Sequence, residues 1–487
     1  MSRSIGRFFQ HSAIYALGNA LNRVGAFLLL PLYTRYLSVG QYGSLELYYS
    51  ISAVVSSLLS VGIAHATLRF YYEYDGESDR RAVVSTNLIA STAICGVGGV
   101  LVGLLAGPLA TAWLSASPSN LGLTLVLVTM VLELSSQVGL AYLRAREQSV
   151  MFISVSFAKL VLQCLVNALL LTHFNAGVEG VLFGNLLAVA LGWLVVGGYT
   201  LRQCGMHFHV DKLMPVLKYS LPFLYISIIG AVSSNFDRFA LNRLLSLEAV
   251  GIYALATKFS KLISDLLGEP FNRAYGAFRF SIMKSEGAAE MQANVLRYLS
   301  AALAVISLGI VYFTSDVLRW VATPEYAGAA VLMPMLVVAA SVQMLIYLLQ
   351  TGILVSKNTQ LLVRVTLVRC LVVPVLGFPL IKYFGLQGAC ALQLVDAFVG
   401  ATITHRLSQR YFPVHYDFAR LGVLGALGLV FFAAGSFVPA GWVGLTAKLG
   451  LMGLFVVAVL QTQLGRAEKQ LIREQLSARW QTLRGAA

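Results

Sequence analysis

Charge is what this chain of 487 residues has least of. Asp, Glu, Lys and Arg together make up 11%, against an apolar share of 58%. Soluble chains carry roughly 25% charged and about 45–50% apolar residues. Mean hydropathy is +0.76. No water-soluble core of this length hides so much apolar surface, so a soluble enzyme or binding domain is excluded and the bilayer is the solvent. Acids are scarcer than bases, 21 against 35, for a formal net charge of +14. Such a balance can mean nucleic acid. Here the cations sit in short stretches between apolar runs, which points to a membrane surface and to no nucleic-acid partner. Cysteines number five: Cys95, Cys164, Cys204, Cys370 and Cys390. Four lie in apolar runs and none can pair in an outward loop, so a disulfide framework is excluded. No P-loop, HExxH, CxxC or GxSxG occurs, which excludes ATP as a direct energy source and argues against hydrolase chemistry. His207 and His209 alone are a weak metal signal, and no metal or catalytic residue is expected.

What is present is a series of apolar runs, each near the roughly 20 residues a spanning helix needs. The first predicted spans are His11–Leu37, Gln41–Ala66, Ala82–Leu114, Leu121–Leu143, Val150–Thr172 and Gly177–Leu201. The next are Tyr219–Asn242, Leu247–Pro270, Val295–Leu318, Ala327–Leu354, Leu361–Ile381 and Gly385–His405. Leu421–Val438 and Trp442–Gln463 complete an all-α membrane protein of about fourteen transmembrane helices. The short basic start, Met1–Gln10, leads into a run too long for a signal peptide, so the first span reads as an uncleaved anchor. After Gln463, Leu471, Ile472, Leu476, Trp480 and Leu483 recur at helical spacing among basic and polar residues, the pattern of an amphipathic helix lying on the membrane.

Loop charge sets orientation. With the N-terminus cytoplasmic, the opposite loops hold only Arg35, Arg243, Arg319 and Lys382, and every other loop cation is cytoplasmic. Both termini are therefore expected in the cytoplasm. The chain also repeats. Arg35-Tyr36-Leu37-Ser38 returns as Arg243-Leu244-Leu245-Ser246, and the same shift carries Gly43 onto Gly251 and Gly177 and Gly180 onto Gly385 and Gly388. The expected organisation is a six-helix lobe over 1–210, a second over 211–418, two further helices over 419–465 and a cytoplasmic tail over 466–487. Six helices per repeat insert both copies with the same orientation, with a substrate site between them. Gly99, Gly103 and Gly107, four apart, make a stripe where a neighbouring helix can approach closely.

Charges inside the spans are the informative residues. The cations are Arg23, Lys159, Arg238, Lys258, Lys261, Arg364 and Arg369, with Lys448 read as snorkelling outward. Each charge at the centre of a lipid-facing helix costs about 2.5–3.5 kcal/mol. Together they would cost roughly 20 kcal/mol, more than the about 5–15 kcal/mol net stability of a domain. They must face partners or a wet cavity. Arg364 lies near an edge. Arg23, Lys258, Lys261, Arg369, Arg238 and Lys159 are the candidate substrate-binding residues. Arginine forks and lysine ammoniums suit the oxygens of a pyrophosphate. Lys261 and Asp265 are spaced to pair. Glu133, Asp396 and Asp265 are the candidates for a coupling ion, H⁺ or Na⁺, with no other cofactor.

Asn19, Asn22, Arg23 and the run from Pro31 through Ser38 to Tyr42-Gly43 resemble the polysaccharide flippases of the multidrug/oligosaccharidyl-lipid/polysaccharide exporter superfamily. Asp237-Arg238, Leu245-Ser246 and Gly251-Ile252-Tyr253-Ala254 echo them in the second half. The likeness is closest to O-antigen and exopolysaccharide repeat-unit flippases. It implies a V-shaped two-lobe fold and alternating access in the bacterial inner membrane. The implied substrate is undecaprenyl-pyrophosphate bearing an oligosaccharide, handled beside a polysaccharide polymerase and a chain-length regulator. The related branches imply two alternatives, a peptidoglycan-precursor (lipid II) flippase and a cation-coupled drug antiporter.

Overall fold

The computed structural model describes Gly25 and residues 27–113, 119–283, 285–356, 358, 360–438, 441–463 and 465. Most of the first predicted span, with Arg23, and the tail over 466–487 lie outside the described residues. The described residues are helical throughout, with no β-strand among them. In chain order they form α1 (Leu30–Tyr36), α2 (Val39–Leu59), α3 (Ile63–Glu73), α4 (Glu77–Trp113), α5 (Asn120–Ala145), α6 (Ser149–Thr172) and α7 (Gly177–Cys204). Then come α8 (Val210–Leu244), α9 (Leu247–Ile263), α10 (Glu269–Ile282), α11 (Ala288–Val321), α12 (Gly328–Leu349), α13 (Thr351–Val355), α14 (Gln360–Ser408), α15 (Phe418–Ser436) and α16 (Trp442–Gln463).

Among the described residues, 10 helices are long and apolar enough to cross a membrane. One of them, α14, holds two predicted spans, because Gly385 breaks it at φ 60, ψ −133. Only glycine adopts that left-handed, bent backbone without strain. The remaining predicted spans correspond to α8, diluted by Ser, Asn and the Asp237-Arg238 pair, and α9, which stops where the chain enters a π-helical turn, Ser264–Gly268. That turn lies between Lys261 and the next helix, so the α-helical spacing assumed for Lys261 and Asp265 does not hold there.

The chain divides into two compact units. The first takes the residues up to Leu255 with Leu318–Gly328 and Thr366–Leu392, and the second Ala256–Val317, Ala329–Val365 and the residues from Gln393 on. In the first unit α5, α6 and α7 pack together, and α4 lies on α5. A Cβ on Gly99 would come 2.9 Å from Val131, and one on Gly103 would come 3.5 Å from Leu127, so this part of the small-residue stripe receives α5. Ser38 opens α2 with a capping box. Its hydroxyl accepts from Gln41 N at 3.2 Å, and the Gln41 side chain accepts from Ser38 N at 3.0 Å. On the far side of the unit Lys212, in the first turn of α8, donates to Asp79 Oδ1 at 2.6 Å. That hydrogen bond raises the Lys212 ammonium above its usual range.

The repeated glycines meet in this unit. A Cβ on Gly43 would lie 1.8 Å from Leu247 O and 2.9 Å from Gly251 N. A Cβ on Gly251 would lie 2.3 Å from Val39 O and 3.2 Å from Gly43 N. The shift that takes Gly43 to Gly251 also takes Val39 to Leu247, so the two contacts are copies of one another. Gly40 and Glu248, mates under the same shift, face each other, with a Gly40 Cβ 3.0 Å from Glu248 Oε1. Self-complementary contact of this kind is the mark of a local two-fold relation. Positions that repeat in the sequence therefore meet through equivalent contacts at the crossing of α2 and α9.

In the second unit Leu308, Tyr312, Leu424, Phe455 and Val459 form a core joining α11 to α15 and α16. Lys448, expected to snorkel outward, is instead buried and donates to Asp316 Oδ2 at 2.6 Å. An acid within reach on α11 gives the ammonium a better partner than the interface.

Candidate functional site

Lys159 on α6 and Glu133 on α5 form an ion pair, the Lys159 Nζ donating to Glu133 Oε2. The pair unites a residue expected to bind substrate with one expected to bind a coupling ion. Gln137 Nε2 donates to the other Glu133 oxygen at 3.4 Å. The side chains are 30% and 37% exposed, so this charged pair inside apolar helices keeps an open face. Just along α5, Ser135 is linked to Thr92 at 2.5 Å and takes the Trp193 indole N–H at 3.0 Å, which ties α4, α5 and α7 around the pair.

Arg238 is different. It is buried, with Nη1 3.6 Å from Asp237 Oδ1, and Asp237 itself is only 2% exposed. The Tyr253 hydroxyl donates to the second Asp237 oxygen. Glu46 on α2, also buried, and Tyr42 stand close enough to act on the guanidinium electrostatically. This cluster joins α2, α8 and α9 directly under the glycine crossing.

Arg369 lies half-buried on α14 in the first unit. In the second unit Lys258 is half-buried and Lys261 exposed on α9, Asp265 half-buried in the π-helical turn, and Asp396 half-buried on α14. All five have interaction partners. Arg364 is exposed at the start of α14.

Two features escaped the sequence reading. The first is a neutral polar network. Asn167 Nδ2 donates to the Tyr33 hydroxyl at 2.7 Å and to Asn185 Oδ1 at 3.1 Å. Gln163 Nε2 donates to Asn185 Oδ1 at 2.7 Å, and Asn185 Nδ2 to the Tyr49 hydroxyl at 2.8 Å. It stitches α1, α2, α6 and α7. Asn and Gln at helical spacing in apolar runs were the available signal, eclipsed by the charges. The second is Arg279 on α10, which reads as a loop cation but is buried. Its Nε and Nη1 have no hydrogen-bond partner among the described residues, and its guanidinium lies 5.0 Å from the Tyr275 ring centre. Among the described residues no group of three or more His, Cys, Asp or Glu is placed to hold a metal ion.

Ten of the described helices are long and apolar enough to cross a membrane, which defines a multi-span membrane protein. Solved structures agree on the fold. The inward-closed conformation of the lipid II flippase MurJ matches with TM-score 0.74 at 10% identity, covering 92% of this chain and 98% of that one. An inward-facing multidrug resistance MATE transporter of the MOP superfamily matches with TM-score 0.61 at 13% identity, covering 83% and 96%. Over residues 8–275 the chain matches the family described as polysaccharide biosynthesis protein, and it belongs to that family. A relative, Lsg locus putative protein 1 of Haemophilus influenzae, is 22% identical over 332 residues, 66% of this chain and 78% of its own.

Proposed function

We propose that the protein flips an undecaprenyl-pyrophosphate-linked oligosaccharide repeat unit from the cytoplasmic to the outer leaflet of a bacterial inner membrane, by alternating access, for surface polysaccharide assembly. The observation that carries this reading is Lys159, a cation within a spanning helix that keeps 30% of its side chain exposed. Half-buried Lys258 and Arg369 add to it. Accessible cations at membrane depth need a wet surface, and a compact pyrophosphate is the anion such a surface suits. The lipid tail stays in the bilayer while the head crosses. Glu133 holds Lys159 when the site is empty. A proton or Na⁺ taken up by Glu133 would release the ammonium to the phosphate, which couples an ion gradient to binding. Asp265 and Asp396 are the other coupling candidates. The cytoplasmic placement of both termini rests on the loop-charge asymmetry. A polymerase and a chain-length regulator are the expected partners on the outer face.

A lipid II flippase is the second reading, favoured by the 0.74 TM-score to MurJ. A drug antiporter suits the intramembrane cations poorly, because cationic drugs call for acids. Depleting the protein in its own cells separates these. The repeat-unit reading expects the lipid-linked oligosaccharide to build up on the cytoplasmic leaflet while peptidoglycan synthesis continues. Arrest of peptidoglycan synthesis would favour the second reading, and increased drug sensitivity alone would favour an exporter.

A further inference from the structure

Three cations are buried among the described residues: Arg238, Arg279 and Lys448. Arg238 lies against Asp237, and Lys448 donates to Asp316. Arg279 has no acid beside it among the described residues. We infer that Arg279 anchors a binding site for a phosphate group in the second unit, filled by the headgroup of an anionic phospholipid of the cytoplasmic leaflet. The site stands on Arg279 and its surroundings and holds whether or not the chain is a flippase.

The case begins with an unmet demand. Arg279 is 7% exposed, and its Nε and Nη1 are sealed from solvent with no hydrogen-bond partner. A guanidinium in that position has lost its water without replacement, which is costly until an anion completes it. Burial lowers its pKa, and only Tyr275 acts against that. The neighbouring rings do not meet the demand. The guanidinium carbon lies 5.0 Å from the Tyr275 ring centre and 5.7 Å from that of Phe280. Aromatic faces favour a cation, yet they offer no oxygen to the N–H fork. A phosphate offers several, and arginine binds it in bidentate fashion.

The backing of the site is rigid. The Tyr275 hydroxyl donates to Gln292 Oε1 and stands 3.4 Å from Thr351 Oγ1. Gln292 Nε2 donates to Leu348 O and to Thr351 Oγ1, each at 3.0 Å. Phe271 stacks on the Tyr275 ring with 5.2 Å between centres. Tyr275, Gln292 and Thr351 are buried. They clamp α10 to α11 and to the junction of α12 with α13. Phe280, by contrast, is 56% exposed and Phe278 38%. The 14-residue α10 is not among the helices long enough to cross a membrane. The loop-charge rule puts it on the cytoplasmic side, with Arg273 and Lys284 in the same segment. Exposed aromatic residues beside cations suit the boundary where anionic headgroups lie.

The test compares the full chain, purified in neutral detergent and stripped of lipid, with Arg279→Met and Arg279→Lys. Phosphatidylglycerol should raise the parent's melting temperature. Native mass spectrometry should find it retained at least about tenfold more by the parent than by Arg279→Met. Phosphatidylcholine should be retained equally by both. Arg279→Lys keeps the charge and loses the fork, so it should retain less phosphatidylglycerol than the parent. Without lipid, Arg279→Met should melt no lower than the parent, because it removes a buried charge that has no partner. Equal retention of phosphatidylglycerol by parent and Arg279→Met overturns the site. So does a lower melting temperature in Arg279→Met with unchanged retention, which makes the residue structural. Should Arg279→Met not fold, equal retention by parent and Arg279→Lys overturns the site alone. Inorganic phosphate that displaces the lipid and stabilises the parent as well overturns the lipid as the source. Undecaprenyl pyrophosphate retained in preference to phosphatidylglycerol overturns the phospholipid as the occupant.

Discussion

Asp237 and Arg238 are adjacent in sequence, and the structure gives them one buried environment facing Glu46. Removing the guanidinium leaves two carboxylates without it, so Arg238→Met should lower stability by about 3–5 kcal/mol, read as a fall in melting temperature of the purified protein. An unchanged melting temperature would mean the cluster is solvated in the resting state. Lys159 and Glu133 make the contrasting case, because their pair is part-exposed and worth about 1 kcal/mol or less. Glu133→Gln with Lys159→Gln should therefore fold nearly as well as the parent, yet transport at least about tenfold more slowly, the effect of about 1.4 kcal/mol. Parental transport rates in the double variant would remove Lys159 from the substrate path. The sequence made every one of these charges visible as a misfit. It did not reveal which would pair, because partner choice depends on helix register across the bundle. Lys159 with Glu133 and Lys448 with Asp316 join residues far apart in the chain.

Among the elements, α2 and α9 owe their approach to a missing side chain. Gly43→Ala places a methyl 1.8 Å from Leu247 O, too close for any rotamer to relieve. Overpacking of this kind costs about 1–3 kcal/mol or more. Gly43→Ala and Gly251→Ala should therefore each lower the melting temperature of the purified protein. An unchanged melting temperature in both glycine variants would contradict the packing account. The bend at Gly385 is a second case. Its φ of 60 lies in the left-handed region, and Gly385→Ala should cost about 1–3 kcal/mol in thermal unfolding. Gly43, Gly251 and Gly385 were all visible beforehand as repeat positions, because duplication preserves what the backbone requires. The π-helical turn after α9 was not read, although Gly268 closes it and Pro270, which lacks a backbone N–H, follows.

For the whole molecule, hydropathy located the helices because the bilayer imposes one length and one polarity on every span. The repeat was legible as paired motifs in the two halves, but not the crossing of α2 with α9, where Gly43 and Gly251 meet. Composition could not show the polar network of Tyr33, Asn167 and Asn185, nor the burial of Arg279. Both arise from how helices turn toward one another, which hydropathy alone leaves free. The central claim is movement of a pyrophosphate-linked oligosaccharide across a bilayer, and purified protein in liposomes tests it most directly. A fluorescently marked undecaprenyl-pyrophosphate oligosaccharide is loaded into both leaflets, and a membrane-impermeant glycosidase is added outside. With the protein present and an ion gradient applied, the account predicts cleavage proceeding past the outer-leaflet half toward completion, and stopping at half with Lys159→Gln. Cleavage that stops at half with the parent protein under every gradient would contradict it.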